Sequence, residues 1–509
     1  MRSEGGGLTL TPSKVQPASL DLAGLFDRAF STRAAQLGWF LIFALLTRFS
    51  TFGDPNYLDD ELLYFTIGQR MHDGLLPYVD LWDRKGPGLF ALYYLIAGFS
   101  RSVIAYQIAA TLVAGLTGYI AQLIAERFSG RMGAVLAGTL YLAMLPLFAG
   151  GGGQAAVFYN LLIAVAALLV VRQVEVPQPR LLMLAMGAAG LAITFKQTAV
   201  FESIFLGLSV LWHLRKGGTN WLKLGQTALL MALAGAAPMA LFGMFYALAG
   251  HFSELWHALV LANLRKGYNP AGDQLLRLTV LFVELLPALL PAILALVFGR
   301  HRLRGFLIGW LIAAIAGFFS VPNFIDHYML PLTLPFCIAA APALQWGKTG
   351  PIFAYAMLLL VLLAGPSFHL AKRDASRAAM NLLLEDIRAR DPQPRLFVFQ
   401  GPAYLNALTG SYPPTPLIFP LHLYYQPENN TSHLNTEGEL RKVLAWQPSV
   451  VVMQPDLPRD FLNPVTTALV EAYVTQHCRK WFTRKLWDRY GEKTYTVFGD
   501  CAGLARRSF

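Results

Sequence analysis

Between Asn56 and Gly88 the chain reads NYLDDELLYFTIGQRMHDGLLPYVDLWDRKGPG, a run dense in charge and aromatic rings between two strongly apolar segments. Asp59, Asp60 and Glu61 come directly after the first apolar segment, and Glu61–His72 carries the pattern of an amphipathic helix lying along a membrane surface. Adjacent carboxylates repel one another and are costly to bury at a membrane boundary, although a helix N-terminus favours acids through its dipole alone. Further along the same loop stand Pro77-Tyr78, Asp80, and then Trp82-Asp83-Arg84-Lys85-Gly86-Pro87 at the mouth of the next apolar run. Acids and then bases on one constrained loop suit a site with a hydroxyl to deprotonate and a phosphate to hold.

Four other places carry chemistry-bearing types. Lys196-Gln197 interrupts two apolar runs at a turn, where the lysine either snorkels to an interface or faces the same aqueous cavity as the first loop. His257, Arg265 and Lys266 lie in the loop His251–Asp273, which suits contact with a lipid phosphate or a plain amphipathic surface helix. His327 and Tyr328, beside Asp326, stand at a span end, a place that Tyr and His also occupy for membrane reasons alone. Gln154, Tyr159 and Asn160 adjoin a glycine-rich turn, and intramembrane amides also serve as helix glue. There is no Walker loop, dinucleotide glycine fingerprint, paired cysteine motif or zinc-type histidine pair. The three adjacent carboxylates have oxygens enough for a divalent ion, but no metal or other cofactor is expected.

These residues must be positioned by a membrane protein. Of 509 residues, 55% are hydrophobic and 14% charged, with a mean hydropathy of +0.45, which excludes a soluble enzyme. The net charge of +11 comes mainly from short clusters between apolar runs and includes no basic face interleaved with aromatics, so nucleic acid is not an expected partner. Candidate spans are Ala34–Thr51, Val103–Ala125, Met132–Ala149, Ala155–Val171, Leu181–Phe195, Ala199–Leu214, Leu224–Ala249, Leu275–Phe298, Phe306–Val321, Met329–Trp346 and Pro351–Phe368. The dozen apolar residues of Gly88–Phe99 are too few for an ordinary span. If that run does not cross, the basic clusters at Arg127/Arg131, Arg172/Arg180, Arg215/Lys216/Lys223, Arg300/Arg302/Arg304 and Lys348 all fall on the cytoplasmic side. The expectation is a polytopic α-helical protein of about 11 spans, within a range of 11–13, with Asn56–Gly88, Lys196, His327 and the chain's last part outside.

Residues 1–33 hold Gly, Ser and Pro, lack the apolar core and cleavage site of a signal peptide, and read as a cytoplasmic tail with a short helix near Leu20–Phe30. Residues 34–370 form the membrane domain, with the outer loop 53–88 as its chemical centre. From about Ala371 the composition becomes that of a soluble protein. Helical patterns at Arg377–Arg390, Glu437–Ala445 and Pro464–Thr475, with β-branched runs at Leu396–Phe399 and Ser449–Met453, point to a small α/β extracytoplasmic domain over 371–509. Cys478 and Cys501 in that domain can form a disulfide in an oxidising compartment, although two lone thiols leave the pairing open.

The sequence resembles membrane glycosyltransferases of the type-C fold, in the bacterial branch of protein O-mannosyltransferases and lipid A aminoarabinose transferases. The pieces that match are Asp-Asp-Glu outside the first span, Gly-x-x-Pro-Tyr-x-Asp, Asp-Arg-Lys-Gly-Pro, the stretch Gly190–Gln197, and His327-Tyr328-Met-Leu-Pro331. The family usually shows Lys-Pro-Pro where this chain has Lys-Gly-Pro preceded by Arg84, which leaves the role of Arg84 open. The resemblance implies a polyprenyl-phosphate-linked sugar donor and an acceptor hydroxyl on an envelope glycan, lipid A or lipopolysaccharide, or protein. Attack would invert the anomeric carbon on the periplasmic face of a bacterial inner membrane. It implies Asp60 as the carboxylate that orients or deprotonates the acceptor, with Asp59 or Glu61 in support. Lys85, joined by Arg84 and Lys196, would hold the donor phosphate, and Tyr78, Asp80, Asp83, His257, Arg265, His327 and Tyr328 are further substrate-contact candidates. A transporter or flippase of a lipid-linked or small substrate is the other class, since Lys196 and Glu202 could mark an ion path. A non-catalytic envelope scaffold is the third.

Overall fold

The structure, a computed structural model, describes residues 22–268 and 271–501. A short helix, Leu22–Ala29, precedes the first membrane helix, and most of the expected tail lies outside the described residues. Each of the eleven expected spans coincides with a helix. Among the described residues, eight helices are long and apolar enough to cross a membrane. The expected spans Leu181–Phe195, Phe306–Val321 and Pro351–Phe368 are instead the shorter helices Pro179–Ile193, Arg304–Phe319 and Thr349–Ala364.

Side-chain contacts sort the helix ends into two faces. On one, Arg33 pairs with Glu126 and both Arg127 and Arg302 pair with Glu175, while the Gln345 amide accepts from Gly133 N–H. These contacts tie together the basic ends of several helices. On the other, Gln107 bonds Thr51 and Gly53, Ser50 donates to Pro366 O, and Thr194 O accepts from Gly88 N–H at 3.0 Å. Each of the three short helices runs from the first face to the second. The Pro87–Phe99 helix does not: its start lies against Thr194 and its end leads into Val103–Ala125 close to Gln107, so it begins and ends on one face. At about 1.5 Å per residue its 13 residues span roughly 20 Å, short of a bilayer core.

Leu229, Leu230, Leu233, Leu241, Phe245 and Leu248 on the Trp221–Leu248 helix are all exposed. An apolar surface of that kind is what hydrocarbon, not water, accommodates.

One expectation is corrected. The helix Asp59–Met71 is not an amphipathic surface helix: Glu61 through Gln69 are all buried. It packs against Pro87–Phe99 so closely that a Cβ on Gly68 would stand 2.6 Å from the Tyr93 backbone.

The C-terminal part carries a four-stranded sheet in the order β1 (Leu396–Val398), β2 (Val450–Met453), β4 (Gly491–Gly499) and β3 (Arg479–Asp488). β1 and β2 are parallel, whereas β4 runs antiparallel to both β2 and β3. The helices Leu370–Arg390, Thr436–Ala445 and Pro464–His477 agree with the sequence patterns, and Cys478 is bonded to Cys501. The β3–β4 hairpin was not expected, because charged residues are scattered along both strands. It turns at Asp488, whose carboxylate accepts from Tyr490 and Gly491 N–H, with Gly491 at φ 141°.

Candidate active site

The carboxylate triad sits at the N-terminus of the Asp59–Met71 helix, and the helical turn of about 100° per residue sends the three side chains to different surroundings. Asp60 Oδ2 lies 3.7 Å from Lys85 Nζ and 3.9 Å from His327 Nε2, with the Gln154 amide at 3.4 Å. About a quarter of the Asp60 side chain, 26%, stays open. Glu61 is fully buried and accepts from the Tyr106 hydroxyl at 3.1 Å. It lies beneath the loop Gly150–Gly153, where a Cβ on Gly152 would meet Glu61 Oε1 at 2.0 Å. Arg48, wholly buried, secures that loop by donating to Gly150 O and Gly152 O. Asp59 faces the other way, toward Lys493 and Asp488 of the hairpin.

Lys85 is brought to Asp60 by a constrained loop. Tyr78, at φ 70° and fully buried, donates its hydroxyl to Lys85 O at 2.7 Å, and Asp83 accepts from Lys85 N–H at 2.7 Å. Asp80 accepts from Leu76 N–H. The next residues press on the turn that holds Lys196, since a Cβ on Gly86 would lie 1.9 Å from Thr194 O and one on Gly88 2.1 Å from Thr194 Oγ1. Only glycine permits this approach, which accounts for Lys-Gly-Pro in this chain. Lys196 Nζ lies 4.0 Å from the centroid of the Tyr328 ring.

The electrostatics separate the roles. Burial disfavours the Asp60 carboxylate, but Lys85, His327, Gln154 and Lys266 outweigh it and hold Asp60 well below the usual carboxylate range. Asp59 is pushed up to about 7, chiefly by burial, with Lys493 opposing. Burial raises Glu61 to about 8 against the Tyr106 hydrogen bond, so Glu61 is a neutral acid at pH 7. Lys196 is lowered to about 7, first by burial and then by Lys85. The site thus holds one permanent anion, one permanent cation, and a second amine poised to take a proton when an anion arrives.

Asp59, Asp60 and His327 line a cavity of ≈ 880 Å³ that opens between the Ala271–Phe298 helix and the C-terminal part. Its wall is apolar at Leu276, Val280, Leu281 and Phe324 and cationic at Arg277, Lys372, Arg489 and Lys493.

Asp60, Lys85 and His327 are therefore gathered at one point, with Lys196 and Tyr328 beside them. Others serve elsewhere. Arg84 pairs with Glu428 of the C-terminal part at 2.7 Å, where Lys266 also reaches the same carboxylate at 3.4 Å. His257 and Arg265 bond each other at 3.0 Å, and His257 packs against Trp82. Tyr78, Asp80 and Asp83 shape the Lys85 loop. Sequence reasoning missed Arg489, Tyr490, Glu428 and Arg48; for the first two, the Asp-x-x-Gly turn between alternating strands was the available signal. Glu202 accepts from Trp310 Nε1 at 2.7 Å. Among the described residues, no group of three or more His, Cys, Asp or Glu side chains is arranged to hold a metal ion.

No family model and no curated protein matches the chain. Among solved structures it is similar to ArnT from Cupriavidus metallidurans in the apo state, with a TM-score of 0.61 and 15% identity over 92% of this chain and 98% of that one. The Archaeoglobus fulgidus oligosaccharyltransferase tethered with an acceptor peptide aligns with a TM-score of 0.45 and 12% identity, over 83% of this chain and 69% of that one. The chain is a polytopic α-helical membrane protein with a small C-terminal sheet and has the type-C glycosyltransferase fold.

Proposed function

We propose that the protein is a membrane glycosyltransferase that moves a sugar from a polyprenyl-phosphate donor to an acceptor hydroxyl, with inversion. The acceptor is an envelope glycan, a lipid such as lipid A or lipopolysaccharide, or a protein. In this reading the membrane is a bacterial inner membrane, and the Asp60 face is periplasmic, opposite the basic helix ends. The observation that carries the proposal is the Asp60–Lys85 pair, 3.7 Å apart, with Asp60 lining the large cavity. At 3.7 Å the two charges attract without a short hydrogen bond, which leaves the lysine free to turn to a phosphate.

The acceptor oxygen attacks the anomeric carbon, the bond from that carbon to the phosphate oxygen breaks, and the acceptor proton passes to Asp60. Lys85 and a reprotonated Lys196 meet the charge that gathers on the leaving phosphate. When the phosphate takes Lys85, Asp60 loses the cation that most depresses its basicity, so donor binding makes the carboxylate a better base.

The test is turnover by the purified protein on a panel of polyprenyl-phosphate sugars with envelope extracts, following free polyprenyl phosphate. Release abolished by both Asp60→Asn and Lys85→Ala, in proteins that stay folded, supports the proposal. Release unaffected by either removes this site from the chemistry, and no release across the panel favours transport.

A further inference from the structure

The Asp60 centre has a third member, His327, and the contacts that fix it come from the opposite end of the chain. His327 is 7% exposed, and neither ring nitrogen has a hydrogen-bond partner among the described residues. Its placement depends on Asp326, whose Oδ1 accepts from His327 N–H at 2.8 Å and lies 3.7 Å from His327 Nδ1. Asp326 is in turn clamped by the tip of the β3–β4 hairpin. Tyr490 donates its hydroxyl to Asp326 Oδ1 at 3.1 Å, and Arg489 Nε lies 3.4 Å from Asp326 Oδ2. Arg489 is anchored on both sides, with its backbone N–H on Tyr57 O at 3.0 Å and Nη2 on Leu147 O.

We infer that Arg489 and Tyr490 are positioning residues of the Asp60 centre: by holding Asp326 they fix where the His327 ring stands against the Asp60 carboxylate. The inference rests on the glycosyl-transfer reading for its consequence in turnover. Docking of the C-terminal part does not need these contacts, because Asn56 on Trp487 O, Ser376 on Asp54 and Arg84 on Glu428 already join the two parts. Tyr490 itself is 57% exposed, so its ring does little packing while its hydroxyl is committed to a carboxylate beside the site.

Arg489→Met, Tyr490→Phe and Arg489→Lys should be compared with Arg479→Gln at the far end of the hairpin. The expected result is a fall in kcat on the order of tenfold for Arg489→Met and a smaller fall for Tyr490→Phe. Arg489→Lys should recover part of the loss, donor KM should stay within about twofold, and Arg479→Gln should match the wild type. Combining Arg489→Met with His327→Ala should cost little more than His327→Ala alone, because both act through one ring. Additive losses, or losses that track melting temperature across the set, overturn the inference. A second readout is independent of turnover: the rate at which diethyl pyrocarbonate modifies His327, measured by peptide mass analysis, should rise severalfold in Arg489→Met. An unchanged rate overturns the inference. If the wild type releases no polyprenyl phosphate, the transfer reading fails on its own, and the His327 modification rate alone decides whether the hairpin positions the ring.

Discussion

Asp60 and Lys85 face each other across 3.7 Å although they come from a helix start and from the far end of a loop. The pair is held by backbone geometry and not by a short hydrogen bond. Tyr78 and Asp83 fix the Lys85 main chain, and the Gly86–Thr194 contact fixes the start of the next helix.

This geometry sets the pH dependence of turnover. Burial raises Asp60, but Lys85, the strongest of the opposing groups, together with His327, Gln154 and Lys266 holds it below the ordinary carboxylate range, so the acid limb of kcat/KM should fall below that range in the wild type. In Lys85→Met the carboxylate loses its strongest cation, and the limb of any residual activity should move to higher pH. A limb that does not move would assign it to another group.

Lys196, lowered to about 7, is half protonated near neutrality. Its charge is lost as pH rises through that value, so donor KM should increase from mildly acid to mildly alkaline pH in the wild type. Lys196→Arg, which stays charged, should flatten the increase.

Glu61, raised from 4.5 to about 8, keeps a proton in the folded protein that the unfolded chain releases between those values. Its contribution to stability is therefore full below pH 4.5 and is lost as pH rises through 8. Glu61→Gln should melt within error of the wild type at the acid end of that window and a few degrees higher above its alkaline end, measured in detergent.

Arg84 and Glu428 form a buried pair, 16% and 4% exposed. Arg84→Met alone takes from a buried carboxylate its strongest partner, leaving Lys266, His422 and the Thr431 hydroxyl, and should cost about 3 kcal/mol of stability; Arg84→Met with Glu428→Leu should recover most of it. Loss of donor binding in Arg84→Met without loss of stability would return Arg84 to the phosphate.

Gly86→Ala should expel the Lys85 loop from the Lys196 turn, because its Cβ would meet Thr194 O at 1.9 Å. Turnover should fall by about a hundredfold or more, whereas Gly225→Ala on the Trp221–Leu248 helix, where no described atom lies within 4 Å of the added Cβ, should retain most of it.

The sequence by itself determined the set of apolar helices and the meeting of acids and bases on one loop between two of them. Those features come from hydrocarbon thickness and from the distribution of Lys and Arg, both of which are local properties of the chain. The sequence reached Asp60 through the family resemblance and not through any local signal that sets the three acids apart. In Asp59-Asp60-Glu61 the three side chains differ by helical phase, and a helix buried on all sides carries no amphipathic signal to set that phase. Nor could the sequence foresee that Arg84 would be claimed by Glu428, or that a hairpin tip more than 400 residues downstream of Asp60 would reach Asp326. Such pairings depend on how two parts dock, and only the tertiary structure brings residues that far apart within reach of one carboxylate.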